Sequence, residues 1–420
     1  MKRIFTAALC AIALFASCEE ESGIKTVNVT IEVDEAKLEN IKPEVYDVVL
    51  TNTTTAVATT VQTENGMAVA NVIPGIYTIV VKANVAEEGM MYNITGSKKD
   101  VNILAAGETI KITVDMAKQS QLIFKEIYYQ GCTFETGNMK DDGTPETSTY
   151  FRDQFYEIYN NSDEVAYADG LCICDLDYAS YDYSLIYEFT FVDGTVASKD
   201  EYVFTQTVWQ LPGDGDDYPI QPGESFIIAQ WATNHKAAEL TKGYSPVDLS
   251  GAEFEAIEGE QTLWNGIVIT DGPSQNMSIA TNPAGYVPPQ WLTPVGGCNM
   301  ILFKPSTPLR QEDWLINNDE DWIQNFCEIK IADVLDAVQM ISDESVVINL
   351  GMPALLDAGY IWCDGTYKGQ CVSRKVEGTL ANGSPKFVDS NNTCDDFEVK
   401  MKPELRRNGA KVPSWNTWNK

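Results

Sequence analysis

AVANVIPGIYTIVVKA, residues 68–83, decides the fold class. It reads as two short strands with apolar and polar residues in alternation, joined by a turn at Ile73-Pro74-Gly75. The pattern continues outward. TVNVTIEV (26–33) alternates with period two through Val27, Val29, Ile31 and Val33, and YDVVL, AVATTVQ, MYNIT and TIKITVDM follow with ENG and IPG as punctuation. No stretch of residues 24–116 has a helical period. Short strands at regular spacing imply a β-sandwich.

The same stretch resembles the Gly-Tyr hairpin of carboxypeptidase-regulatory-like and prealbumin-like sandwiches. The resemblance implies an inward-packed Tyr77 and a spacer without chemistry over 24–117. A boundary falls at AKQSQ, 117–121, and residues 121–420 form a second unit. Its stretches LIFKEIYYQG, YFRDQFYEIYNNSDEVAYADGLCI and YPIQPGESFIIAQ resemble the lamin-tail domain, an immunoglobulin-like sandwich. The matching residues are Glu126 and Ile127; Glu157, Ile158, Tyr159 and Asn160; Asp169 and Gly170; and Pro222 and Gly223. Asp389, Asn391, Asp396 and Phe397 match its ending. Segments 176–217 and 232–370 read as long insertions where specific function would sit. The whole chain is similar to the Bacteroidota lipoproteins grouped as domain of unknown function 4876. The fold expectation is all-β: a small N-terminal β-sandwich, then a larger immunoglobulin-like, lamin-tail-like β-sandwich with insertions. One exception is CEIKIADVLDAVQMIS, 327–342, where Ile331, Val334, Leu335, Val338 and Ile341 recur at helical spacing and predict a packed helix.

At the N-terminus, Lys2 and Arg3 precede an apolar run, Ile4–Phe15, that is too short to span a bilayer but fits a signal-peptide core. With Ala16, Ser17 and Cys18 it resembles a lipobox, which implies cleavage of residues 1–17 and lipidation of Cys18. Glu19, Glu20 and Glu21, in an acidic linker over 18–23, resemble a surface-export signal. The expected location is the outer membrane, facing outward and held by a lipid anchor.

Removing Lys2 and Arg3 with the leader takes the formal charge from −32 to −34. Such acidity repels nucleic acid and anionic headgroups and excludes both as partners. Apart from Cys10 and Cys18, eight cysteines remain. Cys363 and Cys371 flank the turn-rich DGTYKGQ and are a candidate disulfide. Cys172 and Cys174 would share one strand face. No CxxC pair supports zinc.

Chemistry is sparse. The single histidine, His235, lies in the polar stretch ATNHKAAE and reads as a surface residue. There is no GxSxG, HExxH or phosphate loop. The 61 acidic residues make carboxylate pairs inevitable and therefore uninformative about hydrolysis. Asp214, Asp216 and Asp217 form a candidate calcium loop, although Tyr218 and Pro219 break the EF-hand register. No other cofactor is implied. Trp209, Trp291, Trp362, Tyr181 and Tyr183 are candidate ligand-contacting aromatics, suited to sugar faces or protein interfaces. The expectation is a non-catalytic surface lipoprotein that binds a glycan or protein ligand in nutrient capture, with a TonB-dependent transporter as partner by analogy with its class. The alternatives are a structural or adhesive protein and, third, a hydrolase.

Overall fold

The computed structural model describes residues 25–38, 41–87, 90–176, 189–191, 194–257, 260–262, 266–282, 291, 293–309, 315–317, 325–343, 345–346 and 352–419. Cys18, Glu19, Glu20, Glu21, Tyr181 and Tyr183 lie outside the described residues.

The first eight strands are β1 (Val27–Asp34), β2 (Asp47–Asn52), β3 (Ala58–Gln62), β4 (Met67–Val72), β5 (Gly75–Glu87), β6 (Met90–Ile103), β7 (Glu108–Thr113) and β8 (Asp115–Lys118). They make two sheets, β4-β1-β7 and β3-β2-β5-β6-β8. Alternation sets the faces: in β4, Ala68, Ala70 and Val72 are buried while Met67, Val69 and Asn71 are exposed. Val29, Ile31, Val48, Leu50, Ile79, Val81 and Ile112 fill the space between the sheets. Each such side chain contributes about 1.5–3 kcal/mol on burial. Tyr77 packs inward, and its hydroxyl donates to the Ile73 carbonyl (2.6 Å), which pins the Pro-Gly turn.

The second unit is a larger sandwich. Its seven-stranded sheet runs Gln275–Asn276, Phe254–Glu255, Ser225–Ala229, Phe155–Asn160, Leu122–Tyr128, Cys371–Arg374, Phe397–Lys400. Its five-stranded sheet runs Ser278–Thr281, Val208–Gln210, Cys172–Asp175, Asn299–Phe303, Val334–Gln339. Phe124, Ile127, Ile158, Phe226 and Val372 of the first sheet meet Ile173, Trp209, Met300, Leu302 and Val338 of the second. Four of the five strands of the second sheet come from segments 176–217 and 232–370. Those segments are therefore half of the sandwich rather than decorations on it. Cys172 and Cys174 do share a face, in a separate cluster with Cys327 and Ile329.

The predicted helix over 327–342 is absent. Asn325–Lys330 and Val334–Gln339 are strands, joined by a 3₁₀ turn at Ile331–Asp333. They pair with Tyr202–Thr205 and Asn299–Phe303, respectively. The turn shifts the phase between two period-two patterns, and the shifted patterns mimic a helical spacing.

Among the described residues, Arg374 is the most connected buried side chain. Its Nε donates to the Phe124 carbonyl (2.7 Å) and its Nη2 to Asp336 (2.6 Å). Its Nη1 reaches the Val388 carbonyl (2.9 Å), Asp396 (3.2 Å) and Asp389 (3.5 Å). Phe397 lies under the guanidinium at 4.5 Å. Asp336 also accepts from the Phe124 N–H (2.7 Å), so one knot joins both sheets and the C-terminal loop. Three carboxylates around one cation leave excess negative charge. Burial, only partly offset by Arg374, pushes the Asp389 carboxyl up to about 7 and raises that of Asp336.

The outer face of the seven-stranded sheet poses a similar problem. Glu126 and Glu157 are directly opposed across neighbouring strands, and both are fully buried. Like charges in that register repel. A bulge places Lys125 beside Glu157 as an ion pair at 3.0 Å. The C-terminal strap supplies the rest. Glu404 N–H (2.6 Å) and Arg407 Nε (2.8 Å) donate to Glu126, and Arg406 N–H donates to Glu157 (3.1 Å). The strap then pairs with the 222–225 turn, where Gly223 (φ +84°) abuts Ser384 so closely that a Cβ would collide with its hydroxyl.

Replacing Arg374 with Met is expected to cost about 3–5 kcal/mol in denaturant unfolding, because three buried carboxylates lose their cation. A loss below about 1 kcal/mol would contradict the assignment. Asp389 gives a pH signature. The folded chain keeps its proton between about pH 4 and 7, where the unfolded chain releases it. Its contribution is therefore full below that window and declines as pH rises through it. Asp389→Asn should match the parent in thermal stability at pH 5 and exceed it at pH 8.

Candidate functional site: the cleft at the domain junction

The loop held by Arg374 also docks the N-terminal unit. Asn93 Nδ2 donates to Asn391 Oδ1 (2.7 Å), Gln119 Nε2 donates to the Asp389 carbonyl, and Lys82 pairs with Asp395. Beside this junction lies a cleft of about 1370 Å³.

Local chemistry fixes its walls. On one side, β8 ends at Lys118, registered opposite Tyr92 of β6, and leads into Gln119 and Gln121. On another, the Asn160 amide donates to the Glu164 carbonyl (2.7 Å) and the Ile220 carbonyl (2.8 Å). Those bonds hold the turn that presents Glu164 and Tyr167. The third wall comes from the 3₁₀ turn. Lys330 pairs in register with Tyr202, and Lys304 N–H donates to the Asp333 carbonyl (3.0 Å), which brings both lysines to one end. Lys118, Lys304 and Lys330 are exposed, and none forms a salt bridge among the described residues. Ammonium, carboxylate, amide and phenol groups around one solvent-filled space are equipped to hydrogen-bond a hydroxyl-rich or peptide ligand. Isolated lysines in separate segments gave no signal in the sequence; the docking of the two units and the 3₁₀ turn bring them to one cleft.

The aromatic candidates are corrected in part. Trp209 is fully buried between the sheets, and Trp291 is buried with its ring stacked on Tyr156 (5.0 Å, 20°). Neither is open to a ligand, because each fills the inter-sheet core. Trp362 is 38% exposed and stacks on Tyr360 at 6.0 Å. Asp217 Oδ2 accepts from Asp214 N–H (3.1 Å). The loop folds around Asp169, whose carboxylate accepts from Gly215, Asp217 and Tyr218 N–H at 2.9–3.1 Å. Among the described residues no group of three or more His, Cys, Asp or Glu side chains is placed to hold a metal ion. The candidate disulfide is not formed. Cys363 and Cys371 are both free thiols. Cys363, in a loop, packs in the inter-sheet core, whereas Cys371 opens a strand and faces the outer side, where its thiol donates to Glu126 (3.5 Å), so the two thiols lie on opposite sides of the sheet.

His235 is not at the surface but fully buried. Its Nε2 meets the Trp231 carbonyl (2.9 Å) and its Nδ1 the Tyr150 hydroxyl (2.9 Å). A carbonyl only accepts, so Nε2 carries the proton and Nδ1 accepts from Tyr150. Burial pushes the imidazole down to about 4. Other shifted carboxyls are equally committed to structure. Asp357, raised by burial to about 7, accepts from the N–H groups of Gln339, Thr393 and Gly359 at 2.8–2.9 Å. Asp153, raised by burial to about 6, accepts from Ser245 (2.7 Å) and Tyr128 (3.2 Å). Neither lines the cleft.

His235 is the chain's one imidazole, so its proton resonances are unambiguous. They should not titrate between pH 8 and 5; a midpoint near 6.5 would refute its burial. The unfolded imidazole binds its proton near 6.5 and the folded one near 4. Its contribution to stability is full above 6.5 and is lost as pH falls toward 4.

Residues 221–404 match the model of a protein family of unknown function, DUF4876. No curated protein matches the sequence. A crystal structure of a DUF4876 family protein from Bacteroides thetaiotaomicron is 31% identical, with a TM-score of 0.59, and the match covers 93% of this chain and 99% of that one. A candidate adhesin from Bacteroides ovatus aligns at 9% identity over 77% of this chain and 90% of its own, with a TM-score of 0.18, too slight a likeness to bear on fold or function. By its match to the Bacteroides thetaiotaomicron protein across nearly the whole chain, the protein belongs to the DUF4876 family.

Proposed function

We propose that the protein is a non-catalytic, lipid-anchored lipoprotein of the outer membrane that binds a ligand at the cell surface. The observation that carries this reading is the cleft. It is lined by both signs of charge, amides and phenols; the burial-raised carboxyls of Asp357 and Asp153 lie elsewhere, and that of Asp336, which borders it, is engaged by Arg374 and the Phe124 N–H. Ligand binding fits such a lining better than acid–base chemistry does. The N-terminal sequence supports the location: a short apolar leader, Cys18 as the lipidated residue, and Glu19–Glu21 as the export signal. The N-terminal sandwich is the spacer, and a TonB-dependent transporter is the partner in capture of a glycan or other nutrient.

The test is a gentle cross-linking pull-down of the lipidated chain from intact outer membranes, with a glycan panel screened on the purified chain. Recovery of a large transporter barrel and binding of a glycan would support capture. Replacing Lys118, Lys304 and Lys330 together with Ala should weaken that binding by about tenfold or more, the loss expected for one charge-assisted hydrogen bond or more. Unchanged binding would remove the cleft as the site. Recovery of the chain alone, with protease-accessible protein on whole cells, would favour a structural or adhesive role.

A further inference from the structure

The N-terminal unit has one apolar end. Three turns meet there: 53–57 between β2 and β3, 73–74 between β4 and β5, and 104–107 between β6 and β7. Register brings them together, since Asn52 pairs with Tyr77 and Gly75 with Ile103. Backbone bonds tie them further: Asn52 N–H donates to the Val57 carbonyl (3.0 Å) and Thr53 N–H to the Ile76 carbonyl (2.9 Å). Val57 is 63% exposed, Ile73 44%, Ile76 45% and Leu104 64%. Ala56, Pro74, Ala105 and Ala106, also exposed, lie between them. Segments 51–58, 71–76 and 103–107 contain no charged residue, in a chain of which 21% is charged. Apart from the threonines of the 53–57 turn, of which Thr54 and Thr55 are exposed, the tip is aliphatic and free of charge, and such a patch on an otherwise acidic protein marks a surface that something covers.

The chain enters at this same end. β1 begins with Val27 opposite Val72, next to Ile73, and Gly107 N–H donates to the Asn28 carbonyl (3.0 Å). Lys25 therefore stands beside the tip. Cys18 lies seven residues earlier, within about 25 Å even if the intervening chain is fully extended. The contacts to the larger unit are elsewhere. Lys82, which pairs with Asp395, is seven residues along β5 from Gly75, about 23 Å at the usual strand rise.

We propose that the turns 53–57, 73–76 and 103–107 rest on the lipid bilayer as a second, non-covalent membrane contact beside the lipid on Cys18. The proposal rests on the lipidation reading given above. The occupant is a zwitterionic phospholipid surface: the tip offers aliphatic side chains and no lysine cluster, and Glu19–Glu21 repel anionic headgroups. Two contacts at one end hold the N-terminal sandwich end-on, with the cleft directed away from the membrane.

The experiment is amide hydrogen exchange on the full, processed chain reconstituted in phosphatidylethanolamine–phosphatidylcholine vesicles, compared with a Cys18→Ala chain free in solution. Intact mass reports the lipid on Cys18 independently. The expected result is several-fold slower exchange in the three turns on vesicles, with the cleft walls unchanged. A Val57→Ser, Ile73→Ser, Leu104→Ser chain should lose that protection while its lipid mass remains. A lipidated chain without slower exchange in the turns would overturn the tip contact and leave the anchor standing. Protection that appears in the free Cys18→Ala chain and grows with protein concentration would overturn it in favour of a second copy. An unmodified Cys18 would overturn the anchor, and the tip contact with it.

Discussion

One guanidinium holds this architecture together. Arg374 sits on the seven-stranded sheet, binds Asp336 from the five-stranded sheet, and binds Asp389 and Asp396 from the loop that follows. A buried cation is expensive to desolvate, and a single partner seldom repays the cost. Here its donors are spread over three carboxylates and two backbone carbonyls, so few other arrangements of these segments satisfy it. That uniqueness propagates outward. The same loop offers Asn391, the Asp389 carbonyl and Asp395 to the N-terminal unit, and the junction they form is one edge of the cleft. The placement of the candidate site thus depends on a buried charge network of which only Asp336 reaches the cleft among the described residues.

The opposed glutamates make a second demand of the same kind. Glu126 and Glu157 face each other on the outer side of a central strand pair, where hydrophobic residues would be cheaper. They are tolerable because Lys125, Arg407 and the strap's backbone N–H groups converge on them. The last residues of the chain are therefore a structural component of the sandwich. Trp415 and Trp418 fasten it further, through their indole N–H groups, to the Pro219 and Ala252 carbonyls.

These constraints divide the molecule into regions with different work. One end of the N-terminal sandwich is aliphatic and uncharged, where the chain arrives from its proposed anchor. The side of that sandwich away from this end docks the larger unit. Beyond the dock, the junction opens a cleft of mixed charged, polar and apolar lining. Under the proposed reading, one end of the sandwich toward lipid and one side toward the larger unit would keep the cleft in the medium.

The β architecture of the first unit was legible in the residue order, because a period of two is a local property and survives any partner. That order led to an expected boundary at 117–121, and a family resemblance singled out Glu126, Glu157, Asp389 and Asp396, although not as members of two buried charge networks. The sequence misplaced what depends on distant segments. Residues 327–342 carry a helical spacing, and pairing with Tyr202–Thr205 and Asn299–Phe303 makes them strands. His235 sits among polar neighbours yet is buried by Tyr150 and Trp231. Trp209, a candidate ligand-contacting aromatic, is core, since a strand of three residues leaves little local pattern. Cys363 and Cys371 are close in sequence and face opposite sides of a sheet. The cleft was not legible in the sequence, because Lys118, Lys304 and Lys330 lie in or directly after strands of three different sheets and come to one cleft only when the two units dock, which no local pattern encodes.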